Sequence, residues 1–207
     1  MENERSVKSL ISDKLFCIPI YQRSYVWTNQ HWKALWQDII DIAEGKNKKH
    51  FIGSVICSTE KENVQESQQK SEYLVIDGQQ RLTTFILIVA AVCYYLDHLK
   101  KQHKEAEFKL REFKDNYLFE KESDKEQRLR LRPADPNENF FNSILDPLRS
   151  EIELPPSFNP QESQIYGAFN FFKDKIEERI RKHGDEVTVE QQIKDVTNLV
   201  DSAFKKM

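Results

Sequence analysis

Glycine is scarce in this chain, with five residues in 207. Neither a GxxxxGKS/T nor a GxGxxG string occurs, so a glycine-rich phosphate cradle is excluded. Cysteine is scarcer still. Cys17, Cys57 and Cys93 are odd in number, far apart and set among apolar neighbours, which argues against a disulfide framework and for buried thiols in a reducing compartment. The five histidines, His31, His50, His98, His103 and His183, show no metal-ligand spacing, so no zinc site or histidine-based nuclease centre is expected. A strong excess of one charge is missing too: a net charge of -3 argues against a dedicated nucleic-acid binder, though not against a local basic face. The longest apolar run, FILIVAAVCYYL, is about a dozen residues, short of the roughly 18 to 20 that a bilayer requires. The start, MENERSVKSLISDKLF, lacks a basic stretch followed by an apolar one, so no secretory leader is read there. The expectation is a cytoplasmic protein without a membrane segment.

What is present is the composition of a helix-rich globular protein, 39% hydrophobic and 31% charged. SVKSLISDKLFCIPI predicts a short helix leading into a strand that ends at Pro19. Thr28 is placed to cap a helix carrying Trp32, Leu35, Trp36, Ile39, Ile40 and Ala43, with a stop at Gly45. HFIGSVICS (50–58) predicts a buried strand with Gly53 as a bulge or a point of close approach. A polar loop, TEKENVQESQQKSE, separates it from a second buried strand, YLVI. From Gln79 the period changes: Leu82, Phe85, Ile86, Val89, Cys93 and Leu96 predict a helix of about five turns, continuing as the charged segment LKKQHKEAEFKLREF. RLRLRP predicts a half-exposed strand halted by Pro133. NENFFNSIL, then a proline-marked loop LPPSFNP, then QIYGAFNFFKDKIEERI and TVEQQIKDVTNLVDSAF supply three further helical patterns. The expected class is α+β, an α/β region over about 1–96 followed by a helical region over 97–207.

Two strings carry chemistry. In YLVIDGQQRLTTF, Asp77 and Gly78 form the turn between strand and helix. Asp77 can cap the helix by accepting an amide hydrogen bond, with Gln80 reaching back in a loose capping box. A helix N-terminus also offers unpaired amides and about half a positive charge, Gly78 admits an anion close to the backbone, and Arg81 adds a cation where the helix dipole disfavours one. A cap explains Asp77 alone. A phosphate site explains Asp77, Gly78, Gln79, Gln80 and Arg81 together, because a planar guanidinium donates two hydrogen bonds to phosphate at once. The second string, IPIYQRSYVW, collects Tyr21, Gln22, Arg23, Tyr25 and Trp27 after a strand. It is either a surface loop packed on its aromatics or a second wall of the same site, where Arg23 meets phosphate and an aromatic stacks on a base. Both strings end strands, and they are expected to converge at one sheet edge. Two other readings stay open: RLRLR and KKQHK as a DNA-phosphate-tracking face, and a purely structural interaction module.

IPIYQRSYVW, HFIGSVIC and YLVIDGQQRLTT resemble the signatures of the N-terminal domain family of GmrSD-type, modification-dependent type IV restriction enzymes, and the likeness extends through RLRLRPADPNENFFNSIL and IYGAFNFFKDKI. The resemblance implies a ParB/sulfiredoxin-like small mixed sheet followed by helices. It implies slow nucleoside triphosphate hydrolysis with Mg²⁺, with Asp77, Gln80 and Arg81 as catalytic residues and Asp77 as the metal ligand. Tyr21, Gln22, Arg23, Trp27, Gly78 and Gln79 would bind nucleotide. The alternative is a DNA-binding or ParB-like nuclease module without turnover. DNA would be met through a longer protein or a separate nuclease domain, and a homo-oligomer stays open. The family's second helical region is not found, so the chain is expected to be a fragment or a short version.

Overall fold

The computed structural model describes residues 5–47, 49–59, 72–121, 127–133, 138–150, 163–182 and 187–207. Ser6 opens the chain's first helix: its hydroxyl accepts the Ser9 amide at 3.2 Å, which satisfies one orphan donor of α1 (Val7–Asp13). Strand β1 (Leu15–Cys17) follows, and α2 (Asn29–Ala43) begins after Thr28 as expected. There His31 stands where a capping box usually has glutamate, its Nδ1 accepting the Thr28 amide at 3.2 Å. Beyond Gly45, which turns with φ 76°, come β2 (Ile56–Thr59), β3 (Glu72–Asp77) and α3 (Gln79–Leu99). Then follow α4 (Lys104–Phe113), a π-helical turn (Lys114–Leu118), β4 (Phe119–Lys121), β5 (Gln127–Leu129) and β6 (Leu131–Arg132). Three helices end the order: α5 (Glu138–Ser150), α6 (Gln164–Lys182) and α7 (Val189–Lys206).

The main sheet has the order β2-β3-β1-β6, and β4 pairs only with β5. β1 runs parallel to both β3 and β6, while β2 is antiparallel to β3. This mixed sheet with helices is the expected α+β class. Its interior is one apolar cluster drawing on residues from Val7 to Met207, with α3 at the centre against α4, α5, α6 and α7. Leu87 through Cys93 are completely buried, so α3 is apolar on every side rather than along one stripe. At 21 residues and a mean hydropathy of 1.7 it is long and apolar enough to cross a membrane, but 72% of that window is buried by the rest of the fold. The periodic residues alone understated it.

Other expectations need correction. The strand expected over 50–58 starts only at Ile56, because Gly53 turns the backbone to φ 95° and breaks the extended path. It is an edge strand, and Ile56 is exposed rather than buried. Of the second strand, Val75 is fully buried, but Ile76 is half-exposed. α3 does not run on into the charged segment: the amides of Gln102 and His103 both fold back on the Leu99 carbonyl, and α4 starts separately. All three cysteines are free thiols as expected, but only Cys93 is buried, Cys17 and Cys57 being half-buried. The loops expected at 59–72 and 154–160 lie, over 60–71 and 151–162, outside the described residues.

RLRLR is not one strand but two, broken at Arg130, where the chain leaves one sheet for the other. The Arg130 amide donates to Leu118 and its carbonyl accepts from Phe16, at 2.9 and 2.7 Å. Its side chain is buried too: Nη1 donates to the Ser12 carbonyl at 2.7 Å, and Nη2 donates to the Asp115 carbonyl at 2.8 Å and pairs with Glu120 at 2.6 Å. Arg128 and Arg132 both face Glu72, at 3.5 and 3.2 Å. The alternation therefore encodes a sheet switch held by internal carboxylates. Replacing Arg130 by Met takes one cation from Glu120 and leaves the Ser12 and Asp115 carbonyls without their buried donor, and should lower stability by about 2–4 kcal/mol in urea unfolding. A loss within the surface range of about 0.5 kcal/mol would contradict this role.

Asp201 on α7 gathers a second polar knot, accepting from Lys8 Nζ at 2.6 Å, Lys205 Nζ at 2.7 Å and Tyr117 Oη at 2.8 Å. Burial pushes its carboxyl up, but these three donors outweigh it and hold the carboxyl down at about 2, against an ordinary 3.8. A carboxyl depressed on folding stabilises above its unfolded value and stops doing so as pH falls toward its folded one. In pH-dependent unfolding, an Asp201→Asn variant should be less stable than wild type at neutral pH, and the gap should close between about pH 4 and pH 2. A gap constant across that interval would exclude the carboxylate as its source.

Candidate functional site

Ile18, just past β1, still donates its amide to the Arg132 carbonyl of β6 at 2.9 Å, and beyond it the polar groups of the chain are matched by the head of α3. After a tight turn in which the Gln22 amide donates to the Pro19 carbonyl at 3.0 Å, residues 22–26 run across the first turn of that helix. Gln80 is buried and uses both ends of its amide: Oε1 accepts from the Val26 amide at 2.8 Å, and Nε2 donates to the Ser24 carbonyl at 3.1 Å. Gln79 Nε2 donates to Gln22 Oε1 at 3.2 Å and to the Arg23 carbonyl at 3.1 Å. Gln22 in turn donates from Nε2 to the Ile76 carbonyl at 3.0 Å. The two strings expected to converge do meet, stitched by three glutamine amides.

A hydroxyl chain locks the seam from below. Thr84 Oγ1 gives its proton to the Gln80 carbonyl at 2.7 Å. A hydroxyl has one proton to give, so Tyr25 must donate to Thr84, at 2.7 Å, while it accepts from Trp32 Nε1 at 3.0 Å. Burial pushes the Tyr25 phenol up to about 12, the bonds to Thr84 and Trp32 opposing it.

Asp77 is not the helix cap. It ends β3, its side chain is exposed, and the N-cap is Gly78 in the left-handed region at φ 95°, without a side-chain cap. A Cβ on Gly78 would lie 3.1 Å from Val55 Cα and 3.2 Å from the Ser54 carbonyl, so residues 54–55 pack directly on the turn. Nor does Gln80 reach back as in a capping box, being spent on Ser24 and Val26. The negative partner that Arg81 needs at a helix N-terminus is supplied internally: Nη1 donates to the Ile52 carbonyl at 3.0 Å, Nη2 donates to the Ser54 carbonyl at 2.6 Å, and Asp77 Oδ2 lies 3.8 Å from Nη2. Gly53 sits in the crook of this guanidinium, where a Cβ would fall on Nη1, so the expected close approach is real. The 52–55 segment is thus a third wall that only Gly53 signalled.

Facing solvent around this seam are Arg23, Asp77 and Tyr21, while Trp27 is half-buried and stacked on His31 with ring centroids 5.5 Å apart. Among the described residues no three His, Cys, Asp or Glu side chains group as for a metal, and His183 lies outside those residues. One exposed carboxylate fits a Mg²⁺ arriving with its phosphates, which needs only one or two protein carboxylates, rather than a resident ion.

A family model described as the GmrSD restriction endonuclease N-terminal domain matches residues 7–206. The chain belongs to this family. Membership ties this GmrSD-type N-terminal domain to type IV restriction. No curated protein matches the chain.

The dependence of Arg81 on Gly53 can be measured as a coupling. Gly53→Ala adds about 1–2 kcal/mol of left-handed strain and displaces a guanidinium bonded to two carbonyls, for a total of about 2–4 kcal/mol. In an Arg81→Ala background only the strain remains, so the cost in urea unfolding should fall to about 1–2 kcal/mol. Equal costs in both backgrounds would show the two residues to be independent.

Proposed function

We propose that the seam between residues 21–27 and 77–81 of this GmrSD-type domain binds the triphosphate of a nucleoside triphosphate and slowly hydrolyses it, as the regulatory element of a type IV restriction system. The observation that carries the reading is the pair of hydrogen bonds from Gln79 Nε2 to the Gln22 side chain and the Arg23 carbonyl. It ties the backbone of an exposed arginine to the first turn of α3. A guanidinium and a helix N-terminus, brought to one edge, are the pairing a polyanion requires.

The residues divide by what they still have to offer. Arg23 and Asp77 face solvent and are assigned to the ligand, Arg23 to phosphate oxygens and Asp77 to a Mg²⁺ carried in by them. When bound, that ion offsets phosphate charge. Gly78 is taken up by the packing of residues 54–55 and is assigned positioning, and Tyr21 and Trp27 belong to the same 21–27 segment as Arg23. Gln22, Gln79, Gln80 and Arg81 are assigned positioning, since their polar groups hold the walls together. Hydrolysis adds water at the γ-phosphorus and breaks its bond to the bridging oxygen, leaving nucleoside diphosphate and phosphate. With the seam's one exposed carboxylate assigned to the ion and no second one assigned to the water, turnover is expected to be slow.

Titration calorimetry of the full chain against ribonucleoside triphosphates with Mg²⁺ tests the reading. Wild type should bind, and Arg23→Ala should weaken binding at least about ten-fold, a loss of about 1.4 kcal/mol. Its unfolding stability should change by no more than about 0.5 kcal/mol, as for other exposed positions. Silence of the wild type at millimolar nucleotide would overturn the proposal.

A further inference from the structure

We infer that Phe51 supplies the aromatic face on which the base of the bound nucleotide stacks, an inference that rests on the nucleotide reading above. Apart from Phe108, the large hydrophobic side chains exposed among the described residues are Ile20, Tyr21, Val26, Phe51, Ile56 and Ile76. They lie on the three segments that build the seam: the exit of β1, the 51–56 stretch and the end of β3. Phe51 is the most exposed of them, at 79%. An apolar rim of this kind marks a surface that meets something other than water.

Its exposure is held in place from both sides. The preceding residue, His50, donates its amide to the Lys206 carbonyl at 3.3 Å, and its Nε2 lies 3.3 Å from Asp38 Oδ2. The following residue, Ile52, has its carbonyl fixed by Arg81 at 3.0 Å, and Gly53 is seated against the same guanidinium. The backbone that carries the ring is thus fixed on both sides, so that only the ring's own rotation is lost on meeting a flat partner. The occupant is set by the chemistry of these segments: an exposed cation, a helix N-terminus and exposed apolar side chains on the same three segments suit a ligand with an anionic end and a planar apolar one. A nucleotide has both, and an inorganic polyphosphate has only the first. Base-on-aromatic stacking needs no hydrogen-bond readout, so Phe51 contributes affinity without choosing a base.

The test compares each ribonucleoside triphosphate with inorganic tripolyphosphate, both with Mg²⁺, on the full chain carrying Phe51→Ala, Phe51→Tyr or no change. Phe51→Ala should weaken nucleoside triphosphates about ten-fold and leave tripolyphosphate binding as in wild type, while Phe51→Tyr should keep the wild-type affinity. Nucleotide affinity unchanged in Phe51→Ala, or tripolyphosphate bound by wild type as tightly as nucleotides, would overturn the stacking role and leave the phosphate site standing. Failure of wild type to bind either ligand would remove both. Sedimentation closes the remaining alternative: a dimer that Phe51→Ala dissociates, with nucleotide affinity unaltered, would assign the rim to a second copy of the chain.

Discussion

A primary amide can donate and accept at once, and Gln80 spends both capacities on a stretch of chain that no strand pairs with. Beyond Ile18, whose amide still donates to the Arg132 carbonyl of β6, residues 19–27 leave the sheet and run across a helix head, so their amides and carbonyls need partners from outside regular structure. The Ser24 carbonyl and Val26 amide find them on one side chain, much as they would on an adjacent strand. Gln79 does the same for the Arg23 carbonyl, and Gln22 returns the favour to β3 through the Ile76 carbonyl. Remove these amides and the exit of β1 is left with polar groups to desolvate and no compensation. The placement of Arg23, Tyr21 and the start of α2 all follow from this lattice.

The head of α3 meets its electrostatic difficulty in the same economical way. A guanidinium in the first turn is unfavourable against the helix dipole, and the fold answers with two carbonyl oxygens and a carboxylate. Those carbonyls belong to residues on either side of Gly53, and only a residue without a Cβ lets the guanidinium reach both. Arg81 thereby draws the 51–55 stretch onto the helix, and the left-handed Gly78 beneath leaves room for residues 54–55 to pack. Three sequence-distant segments become one surface through contacts that are largely side chain to backbone.

That chemistry also explains what could be read from residue types and what could not. Helical periodicity exposed α2, α6 and α7, because burial on one face is written in the side chains themselves, and the meeting of the two strings followed from their polar content at strand ends. The partners of Arg81 were illegible, since a backbone carbonyl carries no residue identity. The true length of β2 was hidden for a related reason: HFIGSVICS is apolar enough for a buried strand, but pairing with β3 begins only at Ile56, past the left-handed Gly53. Arg130 misled by pattern, as an alternation of basic and apolar residues is the same for an exposed strand and for a buried arginine that stands where the chain changes sheets. Asp77 looked like a cap because its short carboxylate precedes a helix; the left-handed turn at Gly78 moved the helix start one residue beyond its reach.

Charge balance sets the terms on which this domain can meet an anion. With 31 basic and 34 acidic residues, the chain carries no net field to draw a polyanion from a distance. Many cations are already answered within the fold: Arg128 and Arg132 by Glu72, Arg130 by Glu120, Arg179 by Asp195 at 2.7 Å, Lys8 and Lys205 by Asp201. On the proposed reading, affinity for a phosphate chain would have to come from short-range contacts rather than from accumulated charge. Short-range contacts are screened less by salt than a distributed basic surface is, and such a site would avoid the steep salt dependence with which a basic face binds long polyanions.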